Sequence, residues 1–176
     1  MKKLLILGLI LFLSLSVCEQ IPVFAQDKNK ISATGLASIP IDDKAGTHGT
    51  AFGFGIFIER QAGERLMLGV SYVASKIWGE GDFLDFGLQE YDVTSKFFFK
   101  PLTERWNFYF ITGAGLSLVK PENQSKEANI GSVFGVGYLR TITADIGLDV
   151  NVKIRNFGDN VSAFQPSLGA TFGFSL

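Results

Sequence analysis

The stretch ITADIGLDVNVKIR, from Ile142 to Arg155, decides the fold by its alternation. Ile142, Ala144, Ile146, Leu148, Val150, Val152 and Ile154 share one parity, and Thr143, Asp145, Gly147, Asp149, Asn151, Lys153 and Arg155 share the other. Successive side chains of a strand point to opposite faces, so one face is wholly apolar and the other carries four charges. The apolar run outlasts the ~5–6 residues of an ordinary strand. It also exceeds the ~9–11 residues with which a strand crosses a bilayer.

Working outward, the same pattern recurs. Thr50 to Arg60 sets Phe52, Phe54, Ile56 and Ile58 against Ala51, Gly53, Gly55, Phe57 and Glu59. Arg65 to Ile77 follows a short polar turn and completes a hairpin. Phe83 to Lys100 changes phase near Leu88 to Glu90, which predicts a bulge. Arg105 to Val119, Ile130 to Arg140 and Ala163 to Leu176 alternate clearly, and Ile31 to Ile39 does so weakly before Pro40 ends it. Loops are expected near Asp43, Glu80, Asn123 and Asp159, and tight turns at Ala62-Gly63, Leu102-Thr103 and Arg140-Thr141. With the weak strand included there are eight, the smallest number in bacterial single-chain outer-membrane barrels. The expected fold is all-β, an eight-stranded antiparallel up-and-down transmembrane β-barrel.

Composition agrees with alternating membrane strands. Of 176 residues, 20 are glycine and 17 phenylalanine, the formal net charge is −1, and mean hydropathy is +0.25. After the N-terminal region no apolar run reaches the ~20 residues of a membrane helix. A near-neutral chain has no basic excess for nucleic acid.

The N-terminus reads as an export signal. Lys2 and Lys3 precede the apolar segment Leu4 to Val17, and Val23-Phe24-Ala25 predicts cleavage between Ala25 and Gln26. The division is thus 1–25 signal peptide and 26–176 barrel domain. The alternative is lipidation at Cys18, the only cysteine. Cleavage after Ala25 leaves a chain without cysteine, which excludes disulfides and thiol catalysis.

Which face is outside follows from the glycines. Gly53, Gly55, Gly113, Gly115, Gly135, Gly137, Gly169 and Gly173 lie opposite the apolar parity. They make a weak solvent surface but suit a narrow interior into which eight strands point. The apolar face therefore looks at lipid. The interior charges Glu59, Glu90, Asp92, Lys96, Asp145, Asp149, Lys153 and Arg155 are expected to balance one another.

Trp106 to Val119, WNFYFITGAGLSLV, resembles the aromatic-then-G-x-G strand of small outer-membrane β-barrel proteins, the OmpA transmembrane, OmpX and opacity-type group. The C-terminal GATFGFSL is similar to their terminal strand, with Leu168, Ala170, Phe172, Phe174 and Leu176 alternating. The family usually ends in phenylalanine or tryptophan, and this chain ends in Leu176. The resemblance implies the bacterial outer membrane of a Gram-negative-type cell, outer-membrane lipids as surroundings, and periplasmic chaperones and the barrel assembly machinery as partners.

Chemistry is sparse. His48 is the only histidine and sits in a loop, away from any histidine–serine pattern on a strand. Asp42, Asp43 and Asp159 match no calcium-loop spacing. The G-x-G pairs precede no helix and so make no phosphate loop. No enzyme activity and no cofactor are expected. The expected role is structural or surface-interaction with a side-chain-filled lumen, and a host or surface ligand would meet the loops. The alternatives are a narrow channel for small solutes and a lipid-modifying enzyme.

Overall fold

A computed structural model of the chain describes residues 29–41, 49–77, 86–121, 127–143, 145–157 and 162–174. Within them run β1 (Asn29–Pro40), β2 (Ala51–Gly63), β3 (Leu66–Ile77), β4 (Phe86–Phe98), β5 (Trp106–Pro121), β6 (Glu127–Thr141), β7 (Ile146–Asn156) and β8 (Ser162–Phe174). Each strand pairs antiparallel with the next, and β1 pairs with β8 to close the barrel. Closure removes the unpaired edges an open sheet would expose to lipid.

The burial pattern is inverted relative to a soluble protein. Phe52 is 65% exposed and Phe134 59%, whereas Arg155 is 0% and Glu90 1% exposed. Large apolar side chains cover the outside along every strand of the barrel, from Ile31 on β1 to Phe172 on β8. A contiguous apolar band of this kind is a lipid-facing surface, and the polar parity fills the lumen.

Several strand boundaries differ from those read in the sequence. The largest difference lies in the opening stretch, because β7 begins at Ile146 and not at Ile142. Thr143 causes it. Its Oγ1 accepts from the backbone N–H of Asp145 (3.4 Å) and of Ile146 (3.1 Å), while Ile142 and Thr143 both donate to the carbonyl of Ile146. A threonine hydroxyl offers the backbone a turn in place of a ladder. Ile142 is left 63% exposed at the barrel's end.

The bulge expected near Leu88 is absent. Register against β3 and β5 runs without interruption from Phe86 to Phe98. Leu88 points inward with Glu90, Asp92 and Lys96. The apparent change of phase is a change of lumen chemistry, from apolar to charged, on one continuous face. The irregularity between β2 and β3 lies elsewhere, between Gln61 and Gly63. The segment from Pro121 to Asn129, hydrophilic enough to read as one loop, instead belongs in part to a long hairpin, for β6 starts at Glu127.

Proline marks the closing seam. The β1–β8 pairs run to Leu36↔Ser167 and resume in the same register at Ile39↔Phe164. Pro166 stands in the gap and has no N–H to donate. The turns β2–β3, β4–β5 and β6–β7 all lie at the end that holds Asn29 and Phe174. At the second of these, the Asn107 side chain donates to the carbonyls of Lys100 (2.6 Å) and Pro101 (3.2 Å) and accepts from the Lys100 N–H (3.0 Å).

Candidate functional site

Polar residues gather in the lumen because the parity that lines it is the one excluded from lipid. Four acids (Glu59, Glu90, Asp92, Asp149) and three bases (Lys96, Lys153, Arg155) are buried there. Six of them form two groups, one around Arg155 and one around Lys96, and Lys153 lies beside an aromatic ring.

Arg155 of β7 organises the first group. Its Nε lies 3.1 Å from Glu90 Oε2, its Nη1 meets Asp92 Oδ1, and its Nη2 donates to Ser117 Oγ at 2.9 Å. Gln165 of β8 donates to the other Glu90 oxygen at 2.9 Å and reaches Ser38 of β1 at 3.2 Å. Ser71 of β3 stands 3.4 Å from Asp92. A guanidinium suits this position because its planar fork serves several acceptors at once.

Lys96 of β4 organises the second. Its Nζ lies 2.8 Å from Glu59 and 2.7 Å from Asp149, so it bridges β2 and β7 across the lumen. Tyr109 donates its hydroxyl to Asp149, Asn151 donates to the same carboxylate at 3.1 Å, and Ser167 donates to Asn151 at 2.7 Å. Lys96 also stands 4.9 Å from the Tyr109 ring centroid. Lys153 places its ammonium 5.0 Å from the Phe57 ring centroid.

Apolar layers lie at both ends of this network. Ala51, Leu88, Phe157 and Ala163 pack together at the end away from the short turns. Met67, Phe98, Tyr109, Ile111 and Leu139 pack at the other, with Leu102 of the β4–β5 turn against them. A third cluster, Leu36, Phe57 and Val73, lies between them on the β1–β3 side, so the charges share the lumen with apolar side chains.

β6 adds almost nothing polar to the network, and its glycines make the space for it. A Cβ on Gly137 would overlap the Tyr109 ring, and one on Gly115 of β5 would overlap the Asp92 carboxylate. Gly137→Ala is expected to displace Tyr109 from Asp149 and to cost about 1–3 kcal/mol, the usual range for overpacking. Urea unfolding in lipid vesicles measures this. In a Tyr109→Ala background the same change should cost less, because the ring it meets is gone.

Asp145 is the one predicted interior charge found elsewhere. It is exposed in the β6–β7 turn, where its carbonyl accepts from the Gly173 N–H at 2.6 Å. The cause is the late start of β7, which takes Asp145 out of the alternating run. Leu168, Ala170, Phe172 and Phe174 lie on the outward parity of β8. Ala25, Gln26, Cys18, Asp42, Asp43, His48, Asp159 and Leu176 fall outside the described residues. Tyr109, Ser117, Asn151, Gln165 and Ser167 join the predicted charges in the network, and parity is the signal that marks each of them as inward-facing.

Solved structures with the same architecture are found by comparison of folds. Neisserial surface protein A superposes with a TM-score of 0.68 at 18% identity, over 84% of this chain and 97% of that one. The attachment invasion locus protein Ail of Yersinia pestis, solved in complex with the heparin analogue sucrose octasulfate, gives 0.60 at 18% identity, over 85% and 100%. The outer membrane protein OprG of Pseudomonas aeruginosa gives 0.63 at 10% identity, over 86% and 97%. No family model matches the chain, and no curated protein matches it in sequence. At these identities the likeness is one of fold, and the chain has the fold of the small eight-stranded outer-membrane β-barrel proteins.

Proposed function

We propose that this protein is a non-catalytic barrel of the bacterial outer membrane, exported by its N-terminal segment, whose lumen is a structural plug and whose loops face outward. The observation that carries the reading is the filled lumen, with six charges in ion pairs among three apolar clusters. At eight strands the interior is only wide enough for side chains to fill it. A conducting path would need water through these clusters, and apolar constrictions resist wetting. The short turns would be periplasmic, and the barrel assembly machinery would read the outward residues of β8.

The lumen's titratable groups are bonded chiefly to one another, which argues against a nucleophile and base poised for a substrate. The segments between β1 and β2, β3 and β4, β5 and β6, and β7 and β8 carry Asp42, Asp43, Glu80, Asp82, Asp85, Glu122 and Asp159 against Lys44 and Lys126. Like charge repels a polyanion, so a surface ligand of this chain would be neutral or cationic, unlike the sulfated sugar bound by Ail. Planar-bilayer recording of the refolded chain tests the plug. The expected trace shows no unitary steps. Stable steps that vanish in Asp149→Asn or Lys153→Met would establish a channel instead.

A further inference from the structure

The lipid-facing surface over β5, β6 and β7 is not uniform. Cross-strand register aligns Phe110, Val136 and Val152 in one row, and Phe108, Tyr138 and Val150 in the next. The valines form the floor of a groove of about 380 Å³, and the aromatic rings form its wall. The wall is braced from within. Phe108 and Tyr138 have ring centroids 5.1 Å apart, and so do Phe99 and Phe110.

The next row toward the short turns is Trp106, Arg140 and Leu148. Arg140 is exposed, on the same face as Tyr138 and two residues along β6, which is about 7 Å. Lys100 sits over the opposite side of this row, 3.4 Å from the Trp106 ring centroid. Two cations and an indole thus stand in the row next to the apolar groove, on its short-turn side. That is the complement of an anionic phosphate joined to a hydrocarbon chain.

We propose that this groove is a specific site for one anionic phospholipid of the periplasmic leaflet. One acyl chain lies on the valine floor against the aromatic wall, and the phosphate meets Arg140, with Lys100 beside it. A guanidinium donates two parallel bonds to phosphate oxygens, which gives orientation as well as attraction. The preformed wall lowers the ordering cost of binding.

The proposal rests on the membrane reading above, and the two fail differently. A chain that folds and stays soluble without detergent ends the membrane reading. The groove itself is tested by native mass spectrometry of the full chain refolded in detergent, with equal amounts of dioleoyl phosphatidylglycerol and dioleoyl phosphatidylcholine. The expected spectrum retains one phosphatidylglycerol, about tenfold over phosphatidylcholine, the ratio of one charge-assisted contact. Arg140→Gln should bring the two lipids level. Val136→Trp, which fills the floor from the lipid side, should remove the retained lipid while the folded band on an unheated gel persists. Equal retention of both lipids by the native chain, unchanged preference in Arg140→Gln, or unchanged retention in Val136→Trp would each overturn the site.

Discussion

Replacing Arg155 with leucine is expected to destabilise the barrel by about 3–5 kcal/mol, the cost of removing one partner from a buried ion network. Arg155 is fully buried and holds Glu90, Asp92 and Ser117 together. Without it, two neighbouring carboxylates stay in the lumen with their principal countercharge gone. Native proteins are stable by only about 5–15 kcal/mol, so the change consumes a large share of the total. Urea unfolding in lipid vesicles, followed by tryptophan fluorescence, measures it. The informative companion is the triple variant Arg155→Leu, Glu90→Leu, Asp92→Leu. It should recover most of the loss, because an apolar filling avoids the desolvation that the ions incur. Wild-type stability in Arg155→Leu alone would show that the network holds nothing.

The second large effect lies on the opposite face. Val152→Arg places a charge near the middle of β7's outward row and is expected to cost about 2–4 kcal/mol in a bilayer. Ile146→Arg, on the same face but at the end of the strand, should cost only about 0–1 kcal/mol, because charge is tolerated near the interface. The gradient between the two variants is the signature of a membrane crossing. In a soluble barrel with an exposed outer face, both arginines would be harmless. Equal, small effects at both positions would refute the lipid-facing assignment.

Alternation made the strand number, the barrel and the direction of each face legible from residues alone. The period of two runs through the middle of the strands because lipid on one side and a crowded lumen on the other punish any slip. Boundaries were less legible. A threonine that prefers its own turn delays the start of β7 to Ile146, and no hydropathy pattern registers a hydroxyl bonding to the backbone. Leu88 is ambiguous for another reason, since an apolar residue inside a barrel looks like one outside it until its neighbours on the same parity are followed through. The charges of the network are legible by parity, although the same parity wrongly includes Asp145. Their partition into an Arg155 group and a Lys96 group is not, because it depends on the stagger of eight strands around the lumen. Tyr109 stands between Phe108 and Phe110, where only its parity distinguishes a buried hydrogen-bond donor from two lipid-facing rings.

The lumen network also constrains the order of events in assembly. Ser38 and Gln165 lie 127 residues apart in sequence and meet only across the β1–β8 seam. Until that seam zips, the charged parity is one open face of a sheet, wetted and soluble, while the apolar parity is the other. Contacts of such separation carry the largest loop-closure entropy in the molecule and are intrinsically slow to form. Dehydration of the charges is therefore tied to the final closure. Pro166, which has no N–H to give, stands within that seam.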